Sequence, residues 1–516
     1  MDNNGVGSWL HRRRIKSGTK TAVISGGKTL SYADLADRTA RLAHALKDRG
    51  VAKGDRVAYL GENHPSFVET FFACGLLGAI FVPLNTRLAA PELQFQLQDS
   101  GARLMVSSAS LEIAAAASSL DTEITHRLVV ASDDVTEASA LRLPSGVEHY
   151  GEVLDPASAA PLDEAVTLDD AAMILYTSGT TGKPKGALLT HGNITWNCIN
   201  TVVDMDLNRN DVALMISPLF HVASLDMGLL PMLLKGATVV LESKFDAGRV
   251  LELVGQHKVT TLNGVPTTFQ MLCDHPGWST ADLTSLDKLT CGGSAVPQRV
   301  LDAYEQRGIG FTSCYGMTET APGATMLPVS ASKEKAGSAG LPHFFTDVRI
   351  ADPLGGVAGL GEVGEIQISG PNVIKEYWNR PEATGESYSD SSWFRSGDMG
   401  YQDDEGFLFV SDRMKDMIIS GGENIYPAEV EAAIAELPAV GSVAVIGVDD
   451  EKWGEVPRAI VTLRDGESLT EEQLRSHLEG RLARYKIPKS VVFVEEMPRT
   501  ASGKIRKTDL RQQYAR

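Results

Sequence analysis

Over roughly its first 400 residues the chain alternates strand-like and helix-like patterns, and this rhythm limits the fold more than any single motif. Ser31-x-x-Asp34 has capping-box spacing and opens a helical stretch that Gly50 closes, after which Arg56–Leu60 reads as a strand. A helix near Pro65–Leu77 leads into Ala79–Val82, and Pro91–Gln98 leads into Leu104–Ser107. Ala237–Leu241 precedes a helix after Asp246, and Leu286–Cys291 precedes one after Pro297. Repeated units of this kind give an α/β fold, with mostly parallel sheets covered by helices. The apolar run Phe71–Leu84 is too short to span a bilayer and carries Gly75, Gly78 and Pro83. A buried helix entering a buried strand accounts for it.

The rhythm changes after Asp412. An amphipathic helix follows Pro427, with strands at Val443–Val448 and Ala459–Leu463. Thr470-x-x-Gln473 caps a helix predicted to run to Tyr485, and Val491–Val494 reads as a further strand. About a hundred residues with these elements make a small α+β domain. A chain of 516 residues exceeds one ordinary core, so residues 1–412 and 416–516 are expected to form separate domains. Residues 131–165, rich in Ala, Ser, Pro and Asp, read as a surface connection.

A formal net charge of −18 argues against nucleic acid as the main partner, though not against a small anionic substrate held at a local positive site. Cys74, Cys198, Cys273, Cys291 and Cys314 form no CxxC pair, which predicts a reduced, cytoplasmic protein without a disulfide framework or zinc site. Arg12–Arg14 lack a following apolar core, so they mark no signal peptide. They suit a solvated helix, with at most peripheral contact to anionic lipid.

Strand-like Ala172–Tyr176 enters Thr177-Ser178-Gly179-Thr180-Thr181-Gly182-Lys183-Pro184-Lys185-Gly186, and a second strand, Ala187–Thr190, leaves it. Its glycines let backbone N–H groups converge on phosphate oxygens, its hydroxyls add donors, and its lysines add charge. The spacing is not that of a Walker A loop, and Pro184 blocks the helix onset that such a loop needs. Four other segments carry polar groups in glycine-rich or charged settings: Gly292–Pro297, Tyr315–Thr320, Ser396–Asp398 with Asp412–Asp416, and Pro498–Lys504.

Together and in this order, these segments resemble the adenylate-forming superfamily of acyl-CoA synthetases, luciferases and peptide-synthetase adenylation domains. The likeness is greatest to actinobacterial fatty-acyl-CoA synthetases and covers nearly the whole chain. It implies ATP, Mg²⁺ and coenzyme A as partners, a β-barrel-like subdomain within the large domain, and a mobile small domain turning on a hinge at 413–415 with Lys415 as pivot. By resemblance, residues 177–183 hold the phosphates, Gly293, Ser294 and Ala295 border the adenine and acyl pocket, and Tyr315, Gly316, Met317 and Thr318 pack around the nucleotide. Glu319 and Thr177 would hold Mg²⁺, a hard cation that takes oxygen donors. Asp398 would accept both ribose hydroxyls, and Arg413 would donate to the ribose or α-phosphate. Lys504 would bridge substrate carboxylate and ATP, His221 would gate the exchange of AMP for thiol, and Ser420, Gly421 and Gly422 would face the pantetheine of CoA.

The implied activity is conversion of a carboxylic acid to acyl-AMP and then to acyl-CoA. His221 stands where amino-acid-activating members have an aspartate, and Met271 where malonate-type synthetases have an arginine. Small or apolar residues around Ala223, Gly228, Ala295 and Gly323 suit an alkyl chain, so a medium- or long-chain fatty acid is expected first and a cinnamate- or benzoate-type acid second. An enzyme that stops at the adenylate, or a nucleotide-binding scaffold on the same fold, stays open, as does a dimer.

Overall fold

The structure is a computed structural model that describes residues 2–131, 144–177, 184–292, 298–335, 337–352, 354–390, 392–413, 418–425, 427–464, 466–498, 505 and 507–515. Two sheets form the body of the large domain. One has eight strands in the order 376–377, 185–190, 171–177, 80–83, 56–60, 104–108, 126–130 and 147–149, parallel from 171–177 onward. The other has nine, with a parallel centre of 311–315, 288–292, 261–264, 212–215, 238–241 and 21–25 and antiparallel strands at both edges. The strand–helix alternation is therefore realised as two layers with helices between and around them.

Local chemistry explains the element starts. The Ser31 hydroxyl accepts the Asp34 N–H at 3.1 Å and the Asp34 carboxylate accepts the Ser31 N–H at 3.0 Å, so the helix Tyr32–Asp48 begins with two otherwise orphaned donors satisfied. The helix Pro65–Leu77 buries all its residues after Pro65 and feeds the buried strand Ile80–Pro83. Its Gly75 lies against Gly7, where a Cβ would sit 2.1 Å from the Gly75 carbonyl carbon, so the N-terminal segment docks only because both positions lack side chains. Arg13 and Arg14 are not merely solvated: they donate to the Leu234 carbonyl and to Asp37.

Beside these sheets, strands 347–351, 364–369, 394–402 and 408–413 form a four-stranded antiparallel sheet, the form taken by the expected barrel-like portion. A separate sheet begins at Ile418 and contains 418–420, 423–425, 454–463, 440–450 and 490–493. The strand Val440–Asp450 alternates: Val443 and Val445 pack with Ile418 and Ile425, whereas Ala444, Ile446 and Val448 pack with Met497, Ile505 and Leu510 on the opposite face. One expectation fails here. The helix capped by Thr470 stops at Leu478 instead of reaching Tyr485, because Gly480 turns the backbone with φ +74° and only a short 3₁₀ turn, Arg484–Lys486, follows. Among the described residues no helix is long and apolar enough to cross a membrane.

Candidate active site

A cleft of about 680 Å³ lies between the two domains. From the large domain it is lined by Thr177, Lys185, His221, Glu319 and Asp398, and from the small domain by Gly422, Glu423, Glu429, Tyr485 and Lys486. Its floor sits where strands Ala171–Thr177 and Phe311–Tyr315 end, the carboxyl edge at which parallel sheets bind ligands.

The turn after Tyr315 is shaped by Gly316, where a Cβ would fall 1.7 Å from the Pro322 carbonyl oxygen. That close approach sets the short 3₁₀ turn Thr318–Thr320, which buries Glu319. Tyr377 donates its hydroxyl to Glu319 Oε1 at 2.7 Å, and Lys185 Nζ lies 5.5 Å from the centre of the same tyrosine ring. Burial pushes the Glu319 carboxyl up from its ordinary pKa, against the Tyr377 and Thr177 hydrogen bonds and the Lys185 charge. Glu319 and Thr177, the expected metal pair, are thus neighbours. Met317 and Thr318 line the same cleft.

Asp398 is 9% exposed and accepts the Tyr315 hydroxyl at 2.8 Å. Its backbone lies directly opposite Arg413 in the antiparallel pair 394–402 with 408–413, so the sheet register brings two expected ribose contacts together from different strands.

The small-domain wall has another character. Glu423, with a side chain only 5% exposed, takes Arg87 Nη1 at 2.6 Å and His221 Nε2 at 3.1 Å, both from the large domain. Burial alone would raise its pKa, but His221, Arg87 and Lys486 outweigh it and hold the carboxyl at about 2. Lys486 Nζ bridges Glu429 of its own domain at 2.8 Å and Glu92 of the large domain at 3.0 Å. Burial, helped by the Glu429 charge, raises Glu92 to about 7 despite Lys486. Gly422 has φ +82° and a Cβ there would lie 3.2 Å from the Val265 methyls. Gly421 donates its N–H to the Trp453 carbonyl at 2.8 Å, and Ser420 is buried opposite Gly454.

Positions 178–183, 293–295, 415 and 504 lie outside the described residues, and Arg413 is described through its backbone alone. Ile505, next to Lys504, packs on the face of the small sheet opposite the Ile418–Ile425 cluster. Sequence reasoning missed Tyr377, Arg87, Glu423 and Lys486. Glu423 stands inside a segment already singled out, but nothing local distinguishes Arg87 or Tyr377.

Of the positions expected beside an alkyl chain, Ala223 is exposed and Ala295 lies outside the described residues; Met271, expected to disfavour a second carboxylate, is 50% exposed. A methyl group on Gly228 would lie 2.9 Å from Met215 Sδ and 3.1 Å from Asn263 Nδ2, and one on Gly323 would lie 2.7 Å from His343 Nε2 and 2.8 Å from Asn197 Oδ1. Gly323 adjoins polar side chains because helix His191–Asp204 carries Asn197 inward and His343 is buried.

Residues 10–378 match the model of the AMP-binding enzyme family, and residues 429–504 match that of the AMP-binding enzyme C-terminal domain. Feruloyl-CoA synthase of an Amycolatopsis species is 50% identical over 514 residues, covering 100% of both chains. A long-chain-fatty-acid–CoA ligase of Mycobacterium tuberculosis is 39% identical, covering 98% of each chain. The o-succinylbenzoate CoA synthetase of Bacillus subtilis, 34% identical, matches in two forms. A double mutant bound with the product analogue OSB-NCoA gives a TM-score of 0.86, over 99% of this chain and 98% of that one. The complex with the acyl-adenylate OSB-AMP gives 0.69, over 98% and 97%.

Proposed function

Because the chain belongs to the AMP-binding enzyme family and is an ATP-dependent, AMP-forming acid–thiol ligase, we propose that its acid is aromatic, of the arylpropenoate type, and that its product is the corresponding aryl-CoA. The observation that carries this is the 50% identity to feruloyl-CoA synthase across the full length of both chains. The order expected from the sequence, fatty acid before aryl acid, is thereby reversed.

In the first half-reaction two anions meet. A carboxylate oxygen of the acid forms a bond to the α-phosphorus of ATP and pyrophosphate leaves, so the requirement is fixed positive charge where negative charge develops. No general base is needed, because the acid is ionised at neutral pH. Glu319 and the Thr177 hydroxyl fit a magnesium ion: they offer adjacent oxygen donors at the cleft, and a hard cation would favour the charged form of a carboxyl that burial pushes up. That ion would neutralise phosphate charge. Asp398 would orient the ribose, the loop 177–183 would hold the phosphates, and Lys504 would draw carboxylate and ATP together.

In the second half-reaction the CoA sulfur bonds to the acyl carbon and AMP departs. The placement of the small domain suits this step, with Gly422 and Glu423 at the cleft and Ile505 packed on the far face. The higher TM-score to the synthetase carrying a CoA-product analogue than to its acyl-adenylate complex points the same way. We assign the hinge to 413–415 around Lys415, with domains 1–412 and 416–516, and the gating of the thiol path to His221, which Glu423 holds in this placement.

A screen of CoA-dependent AMP release across arylpropenoates, benzoates and alkyl acids of graded length tests the proposal. Highest kcat/KM for arylpropenoates is expected. Highest turnover with alkyl acids would overturn the acid assigned, and AMP or pyrophosphate release independent of CoA would overturn the second step.

A further inference from the structure

Helix Ala90–Ser100 carries an aspartate, Asp99, in its last turn. A negative charge there meets the negative end of the helix dipole, and aspartate is a poor helix former, so nothing local favours the residue. Its partners come from elsewhere. Asp99 Oδ2 accepts the Tyr176 hydroxyl at 2.9 Å, Oδ1 pairs with the Arg380 guanidinium, and the backbone carbonyl accepts Trp378 Nε1 at 3.0 Å. The Asp99 side chain is only 10% exposed, and both of its oxygens are engaged. Burial, together with the Asp99 charge, pushes the Tyr176 hydroxyl up, so it stays a neutral donor.

These contacts reach both strands that border residues 178–183. Tyr176 lies opposite Gly186, and Thr177 opposite Lys185, in the antiparallel pair 171–177 with 185–190. Trp378 donates its backbone N–H to the Gly186 carbonyl at 2.7 Å. It comes this close because Gly186 has no side chain: a Cβ there would sit 3.3 Å from Trp378 Cβ and 2.6 Å from Ile174 Cγ2. The residue before Trp378 is Tyr377, which holds Glu319. One carboxylate thus ties the strand that leads to Thr177 to the segment that carries Tyr377, Trp378 and Arg380. Desolvation offsets much of the attraction in a buried ion pair, so stability alone is a poor reason for this one.

We infer that Asp99 is a positioning residue for Mg·ATP, acting through Tyr176 and Trp378 to keep Thr177 beside Glu319. The inference rests on the assignment of Thr177 and Glu319 to magnesium made above, and it holds whichever acid is activated. Tyr176 lines the cleft and Asp99 stands behind it, so the aspartate acts only through its partners. An amide at position 99 has one acceptor fewer and turns a donor towards its neighbours, so it cannot hold Tyr176 and Arg380 together. Misplacing a binding group by about 1 Å costs up to about 10²-fold.

The test is the equilibrium Kd for Mg·ATP, measured by calorimetry without acid or CoA so that no turnover contributes. Asp99→Asn is expected to raise this Kd, and the KM for Mg·ATP, by about tenfold, while the KM values for acid and CoA and the rate of transfer from supplied aryl-AMP stay within about twofold. A residue needed only for folding would lower the melting temperature and the active fraction without moving a Kd. Tyr176→Phe removes one hydroxyl and is expected to raise the same Kd by about threefold. A native Kd in Asp99→Asn, or equal losses in both half-reactions, overturns the inference, and Tyr176→Phe is read in the same way should the first variant fold poorly. Glu319→Gln, measured beside them, separates the two assignments. If it weakens Mg·ATP while the Asp99 and Tyr176 variants do not, the metal pair stands and the inference falls; a native Kd in all three overturns both.

Discussion

The two walls of the cleft hold their carboxylates in opposite ways. On the large-domain wall the buried Glu319 and Asp398 each accept from a phenol, Tyr377 and Tyr315. At the small-domain wall the buried carboxylates meet cations: Arg87 and His221 for Glu423, and Lys486 for Glu429, which the same lysine ties to Glu92 of the large domain. A phenol orients a carboxylate without cancelling its charge, which stays available to a cation or a ribose diol. A cation cancels the charge, and here it does so across the domain boundary. The first wall is built to act on a ligand. The second is built to fix where the small domain sits.

Removing the charge from one wall at a time should separate the half-reactions. Glu319→Gln keeps the volume and a hydrogen-bonding group but removes the charge, and should lower acid-dependent pyrophosphate exchange by about 10²–10³. Transfer from supplied aryl-AMP to CoA should change far less. Equal losses in both would mean that Glu319 is needed by the fold and not by the metal, and melting temperature would show it. Glu423→Gln should do the reverse, slowing transfer to CoA by about tenfold and sparing pyrophosphate exchange. The effect is limited because Arg87 and His221, at 50% and 41% side-chain exposure, can return to water once unpaired. A loss confined to pyrophosphate exchange would contradict the role given to the small-domain wall.

The same contrast explains what could be read in advance. Glu319 and Asp398 each lie within a few residues of the glycines that shape their turns, Gly316 and Gly397, so residue types and spacing announce them. Tyr377 is 58 residues from Glu319, and Lys486 is 394 from Glu92, so no local pattern links the partners. Helix starts were legible because a capping box is four adjacent residues; the end at Leu478 was not, because apolar Leu482 continues the pattern past Gly480. The surroundings of Gly228 and Gly323 were not legible for a related reason: a glycine shows that something comes close, without showing that the neighbours are Met215, Asn263, Asn197 and His343.

The smallest effect expected is a pH dependence of domain docking. Glu423, depressed from 4.5 to about 2, contributes stability to the docked arrangement that is complete above its ordinary pKa and is lost as pH falls towards 2. Glu92, raised from 4.5 to about 7, behaves oppositely: docking favours its protonated form, and its contribution is lost as pH rises through about 7. Lys486, also raised, stays charged throughout this range. Between pH 5 and 8 Glu423 keeps its charge while Glu92 loses its proton, so the contribution of Glu92 to docking weakens as pH rises, and comparison of the native enzyme with Glu92→Gln isolates it from the imidazole paired with Glu423. A pair of dyes across the domain boundary, followed without ligands, measures it. Glu92→Gln should make the profile less steep while leaving the Glu423 pairs intact. A profile that is flat in the native enzyme, or one that is as steep in Glu92→Gln, would show that the Lys486 bridge is already satisfied before the domains meet, and would leave Glu423 as the group that sets the small domain's position.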